Sequence, residues 1–124
     1  MTEARNTKYR TPNGYEEGCA AFYLFRPEKD KTRSYDTIDL KFKNGERRGL
    51  DYSMLHDRHY NPANGALTLE FLGKEVTLYG WALEELYECI LTKEVAQIVE
   101  HHDNEINAPE SKPFIQRIEY RVMN

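Results

Sequence analysis

Apolar and polar positions change period along the 124-residue chain. The first 18 residues carry no apolar face and include a Pro12-Asn13-Gly14 turn, which predicts a flexible N-terminal tail ahead of one domain over 19–124. Residues 19–26 (CAAFYLFR) form a short aromatic-rich run bounded by Gly18 and Pro27, the pattern of a buried strand. Residues 35–43 then alternate, with Ile38, Leu40 and Phe42 on one face and Thr37, Asp39, Lys41 and Lys43 on the other. Asn44-Gly45 marks a hairpin, because both residues tolerate positive φ. A three-residue loop through Glu46 keeps the faces matched, pairing Leu40 with Leu50 and Ile38 with Tyr52. It also sets Asp39 opposite Asp51, with Lys41 and Arg48 near enough to neutralise them.

A second hairpin joins 66–72 (ALTLEFL) to 75–80 (EVTLYG) through Gly73-Lys74. There Phe71 meets Val76 and Leu69 meets Leu78 on the core face, while Thr68 meets Tyr79 and Glu70 meets Thr77 outside. From Trp81 the period becomes helical. Leu83, Leu86, Tyr87, Ile90, Leu91, Val95, Ile98 and Val99 form one stripe, which predicts a helix to His101 or Asp103. Residues 114–122 alternate again, Phe114, Ile118, Tyr120 and Val122 facing in and Arg117, Glu119 and Arg121 facing out. The expected α+β fold is a curved, mostly antiparallel, barrel-like sheet of about six strands packed on one long amphipathic helix, with a final strand after the helix. Its predicted core includes Leu69, Leu78, Leu86 and Ile90, with Phe22, Phe42, Phe71, Trp81, Tyr87 and Tyr120 on inner faces.

Composition narrows the function classes. Hydrophobic residues make up 40% and charged residues 31%, with nine Tyr, too apolar and aromatic for a disordered chain. No apolar run approaches the roughly 18 residues of a membrane span, and residues 1–18 do not resemble a signal peptide. Cys19 and Cys89 fit no CxxC pattern and read as reduced thiols of a cytoplasmic protein.

The net charge of −4 is unevenly spread. Between Ala82 and Glu105, Glu84, Glu85, Glu88, Glu94, Glu100, Asp103 and Glu105 face only Lys93. An acidic face repels nucleic-acid phosphates, and it suits either simple solvation or docking of a basic protein. Basic residues gather at Lys29, Lys31 and Arg33, and again at Lys41, Lys43, Arg47 and Arg48, each group interrupted by acids.

The polar segment from Tyr52 to Gly65 holds His56-x-x-His59, and His101-His102-Asp103 follows much later. Imidazole and carboxylate donors suit zinc, but a matched second pair at a defined spacing is missing, and adjacent histidines on a helix diverge by about 100°. The same histidines could act as an acid–base pair, with Arg58 or Lys41 as the cation. No motif sets them across a pocket. The run Arg47-Arg48-Gly49-Leu50-Asp51-Tyr52-Ser53 resembles part of the signature of PilZ domains, small barrels that bind a cyclic dinucleotide. Asp51-x-Ser53 fits, His56 stands where the closing glycine belongs, and the upstream Arg-x-x-x-Arg is missing. The resemblance implies nucleotide binding through Arg47 and Arg48, whose guanidinium forks suit phosphates.

The sequence therefore names no catalytic residue, cofactor or metal set. It points to a non-enzymatic interaction or accessory domain in the cytoplasm that meets a protein partner, with self-association through an open sheet edge as one route. Glu84, Glu88, Asp103 and Tyr79 are the candidate contact residues, Tyr79 because it faces outward with Tyr23, Tyr35 and Tyr60 as neighbours. Arg47, Arg48, Asp51, His56 and His59 form a second polar candidate, for a small-molecule or nucleotide-binding barrel or a histidine-dependent hydrolase.

Overall fold

A computed structural model describes residues 9–12, 20–25, 36–102 and 111–123. Its strands are β1 (Phe22–Leu24), β2 (Thr37–Lys41), β3 (Arg47–Asp51), β4 (Leu55–Asn61), β5 (Ala66–Phe71), β6 (Lys74–Trp81), β7 (Val95–Val99) and β8 (Phe114–Val122). Among the described residues, one helix, α1 (Glu84–Leu91), stands between β6 and β7, and a 3-10 turn at Tyr52–Met54 links β3 to β4. These eight strands form two four-stranded sheets rather than one sheet of about six, and neither closes into a barrel. Sheet A has the order β1-β7-β2-β3, and sheet B the order β4-β5-β6-β8. Every pairing is antiparallel except β2 with β7.

The helix is much shorter than the apolar stripe predicted. It ends in a Schellman arrangement, with the Glu94 N–H donating to the Cys89 carbonyl at 2.9 Å and the Lys93 N–H to Ile90 at 3.1 Å. Lys93 takes the left-handed conformation, φ 62°, that glycine usually supplies at this position. The residues beyond it, Val95–Val99, become the central strand β7, four of whose five residues are buried. A strand covered on both faces loses its alternation, and its Val and Ile positions then mimic a helical stripe. Leu91, expected inside, is 48% exposed where the helix stops.

Both hairpins keep the predicted faces and shift register by two residues. In the first, Phe42 closes onto Glu46 at 2.8 Å around Lys43-Asn44-Gly45, with Gly45 at φ 96°. Ile38 therefore pairs with Leu50 and Leu40 with Arg48. Asp39 lies opposite Gly49, not Asp51, which pairs with Thr37. The second hairpin turns at Leu72-Gly73, with Gly73 at φ 78°, so Leu69 pairs with Val76 and Leu67 with Leu78. The segment expected as a polar connection contains β4. Its inward positions are Arg58 and Tyr60, opposite Leu69 and Leu67, so amphipathic side chains hide the alternation.

Side chains from both sheets and α1 join in one core, in which Leu69, Leu78, Leu86 and Ile90 are fully buried with Phe22, and Phe71 is buried beside them. Phe42, Tyr87 and Tyr120 pack against its margin. Ile115 is buried, whereas Val122, expected inside, is 64% exposed near the end of β8. Within the segment predicted as a tail, Tyr9 is buried, and Arg10 forms a bridge with Leu24 and donates from Nε to the Phe25 carbonyl at 2.7 Å. Cys19, Lys29, Lys31, Arg33, Tyr35, Asp103 and Glu105 lie outside the described residues. Among those described, no helix is long and apolar enough to cross a membrane.

Beyond β7, Glu100 connects the sheets. Its backbone N–H donates to Lys41, while its buried carboxylate accepts the Lys43 N–H at 2.8 Å and the Ile118 N–H at 2.8 Å. The next residue, His101, donates its N–H to Ile115 of β8 and packs its ring 5.0 Å from that of Phe114.

Candidate interaction surfaces

Tyr79 stands on the outer face of sheet B, because Val76 and Leu78, its neighbours of opposite parity, are buried. Cross-strand register brings Arg117 of β8 beside it, and the Arg117 guanidinium lies 4.3 Å over the ring. The Tyr79 hydroxyl donates to Glu119 at 3.3 Å, and Glu119 pairs with Arg117 at 3.4 Å. The three side chains hold one another upright on a wet sheet face. Two shallow depressions meet at Tyr79. One, of about 420 Å³, extends over Thr77, Glu119 and Arg121; the other, of about 440 Å³, extends over Lys43, Asn64 and Gln116. Further along the face Glu70 opposes Glu75, and the Arg121 guanidinium contacts Glu75 and offsets the like-charge pair.

The sequence brought out Tyr79 but neither Arg117 nor Glu119 as its companions. Their alternation placed them outward, yet the β6–β8 register crosses α1 and β7 and has no local signal. Glu84 and Glu88 are exposed on α1. That helix packs on the other side of sheet B, where Tyr87 stacks on Tyr60 at 6.3 Å, and Tyr60 pairs with buried Leu67. Tyr23 is buried in β1. The acidic helix and the Tyr79 face are therefore separate surfaces.

Arg47 and Arg48 point to opposite faces of β3, as adjacent strand residues must. Arg47 donates from Nε to Asp39 at 2.9 Å and makes a second contact to the same oxygen through Nη2. That hydrogen bond and the carboxylate charge raise the guanidinium's pKa further. Gln97 donates to Asp39 as well, at 2.8 Å. Arg48 lies 4.0 Å over the ring of Tyr120 and ties β3 to β8. The two guanidiniums do not converge on one anion.

Asp51 is exposed and accepts from Thr37 at 3.2 Å. His56 is the extra residue of a β-bulge between Leu55 and Asp57, and His59 faces outward opposite Thr68. His101 is buried, and His102 is exposed. Among the described residues, no three His, Cys, Asp or Glu side chains are grouped to hold a metal ion. The Cys89 thiol is pushed up to about 11, chiefly by burial and further by the carboxylates of Glu94 and Glu85. Burial likewise raises the Tyr52 hydroxyl, which donates to the Val95 carbonyl at 2.8 Å.

Comparison with models of protein families, with curated proteins and with solved structures gave no match, so the functional reading rests on the geometry of the chain itself.

Proposed function

We propose that the chain is a non-catalytic cytoplasmic interaction domain that docks a protein partner on the outer face of sheet B. The observation that carries this reading is the stacked pair of Tyr79 and Arg117, braced by Glu119 between two depressions. Tyrosine and arginine are the residue types most often found to dominate binding energy, and a rigid pair loses little entropy on contact. Glu84 and Glu88, on the other side, act at longer range by steering a basic partner. The free, half-buried Cys89 suits a reducing compartment.

Capture from native lysate followed by binding kinetics tests the reading. Tyr79→Ala or Arg117→Ala should speed dissociation of the captured protein by at least about tenfold, as for a lost anchor. Glu84→Gln with Glu88→Gln should slow association at low salt and leave dissociation unchanged. If neither pair changes a rate, the docking face is wrong. A nucleotide that raises the melting temperature, with no protein captured, replaces it by a ligand-binding reading.

A further inference from the structure

The two sheets have four edges, and three are blunted. Arg10 bonds to both backbone groups of Leu24 beside β1. Glu100 and His101 take the Ile118 N–H and the Ile115 carbonyl on the outer side of β8. The bulge at His56 interrupts β4. Such devices are how soluble proteins prevent edge pairing. Among the described residues, β3 has neither a backbone cap nor a bulge and pairs only with β2, so its charges at Arg47, Arg48 and Asp51 are what remains to select a partner.

The side of β3 that stays open follows from the hairpin bonds. Phe42 donates to Glu46 and Tyr52 donates to Asp36, so even-numbered residues of this segment bond to the β2 side. Antiparallel pairing alternates, and the N–H and C=O groups of Arg47, Gly49 and Asp51 therefore face away from the sheet. All three residues are exposed. Beside them runs a cleft of about 220 Å³ between Gly49, Leu50 and Asp51 on one side and Met54, Leu72 and Lys74 on the other. Leu72 is 70% exposed there, and Met54 is exposed too.

We propose that β3 pairs antiparallel with β3 of a second copy of this chain, about a two-fold axis at Gly49, to make one eight-stranded sheet from two sheets A. The charges select both the occupant and the register. With Gly49 opposite itself, each Arg47 lies directly across from Asp51 of the other copy, on the same outer face and in a hydrogen-bonded position. Arg47, whose side chain is 56% exposed, uses only part of its donor fork on Asp39. It thus bridges Asp39 of its own chain and the incoming Asp51. Moving the axis to Arg48 sets that arginine against itself, and moving it to Leu50 leaves Arg47 and Asp51 without counter-charges. A parallel pairing in register stacks like on like. Gly49 has no side chain to separate the strands where they cross.

This surface is distinct from the Tyr79 face, and the two stand or fall separately. Sedimentation at about 1–100 μM should give twice the 14.6 kDa chain mass for the wild type, less so at high salt. Asp51→Arg alone and Arg47→Glu alone should each weaken the dimer by at least about tenfold, since each sets two like-charge pairs across the junction. An equimolar mixture of the two variants should dimerise again, because every cross-strand pair is then of opposite charge. Circular dichroism confirms that each variant is folded. A wild type that stays monomeric overturns the dimer, and so does a dimer indifferent to both variants or a mixture that fails to reassociate. None of these outcomes alters the Tyr79→Ala and Arg117→Ala measurements, which decide the docking face.

Discussion

Glu100 and Ile118 are joined by a buried hydrogen bond of 2.8 Å from backbone N–H to carboxylate, while the other carboxylate oxygen takes the Lys43 N–H at the same distance. A single side chain thus satisfies two backbone donors, one on each sheet's side of the molecule. Charged acceptors make stronger bonds than neutral ones, and a buried donor left without a partner incurs its full desolvation cost. Glu100→Ala is expected to destabilise the protein by about 2–4 kcal/mol in a urea titration. Glu100→Gln, with one acceptor oxygen and an NH2 group facing the other donor, should lose less. A change below about 0.5 kcal/mol for the alanine variant, the scale of an ordinary surface substitution, would show that the clamp contributes nothing.

Among the described residues, Lys93 and Ala82 are the two non-glycine residues with positive φ, at 62° and 58°. They flank α1 on either side, and each holds a conformation that a Cβ atom disfavours. Lys93→Gly should raise stability by about 0.5–1 kcal/mol despite the greater freedom of glycine in the unfolded chain. Equilibrium denaturation checks the sign. A loss of stability would mean that the lysine stem makes a contact worth more than the backbone relief.

Cys89 gives a pH signature. Its thiol ionises near 11 in the folded chain because burial and the Glu94 and Glu85 charges resist the thiolate. An unfolded thiol ionises near about 8.5, so between these values the folded state holds more protons and stability falls as pH rises. Cys89→Ala should flatten that decline, and Tyr52, raised in the same direction, should extend it to higher pH. In a Cys19→Ser background, a disulfide reagent at pH 8 should react with Cys89 on the order of a hundredfold more slowly than with a small free thiol. Reaction at the free-thiol rate would refute the buried environment.

Leu86 and Ile90 form the buried face of α1. Leu86→Ala should cost about 2–5 kcal/mol through the cavity it leaves, whereas the exposed Leu91 should tolerate alanine at under about 1 kcal/mol. Equal losses at the two sites would contradict the short helix.

Local alternation carried much of this fold. Inward residues of β2, β5 and β6 were legible because each strand covers one core face and leaves the other wet. Hairpin registers were less so, since a shift of two residues preserves every face, and only the positions of Gly45 and Gly73 in their turns separate the alternatives. The end of α1 was hidden because Lys93 occupies the place where a glycine would have announced it. β7 was hidden because a strand buried on both faces shows no period of its own. Of the candidate surface, Tyr79 could be read from its hairpin. Arg117 could not be joined to it, because pairing between β6 and β8 is fixed by everything that folds between them. Arg47 and Asp51 were visible as charges, but their placement on an open edge depends on which strands pair with which.

The parallel contact between β2 and β7 has a consequence for how the chain is made. Phe22 and Leu40 both sit beside Ile98, so strands emerging early in synthesis share a neighbour that emerges late. By then β4, β5 and β6 are available to fold as a local meander, while β1 has no strand partner and the β2–β3 hairpin is open on both flanks. Closing such distant contacts is slow, and unpaired flanks in the interval invite association of nascent chains. Sheet A thus cannot be completed until its central strand has been made. A released chain truncated before Val95 should have a meander that resists protease and first three strands that do not.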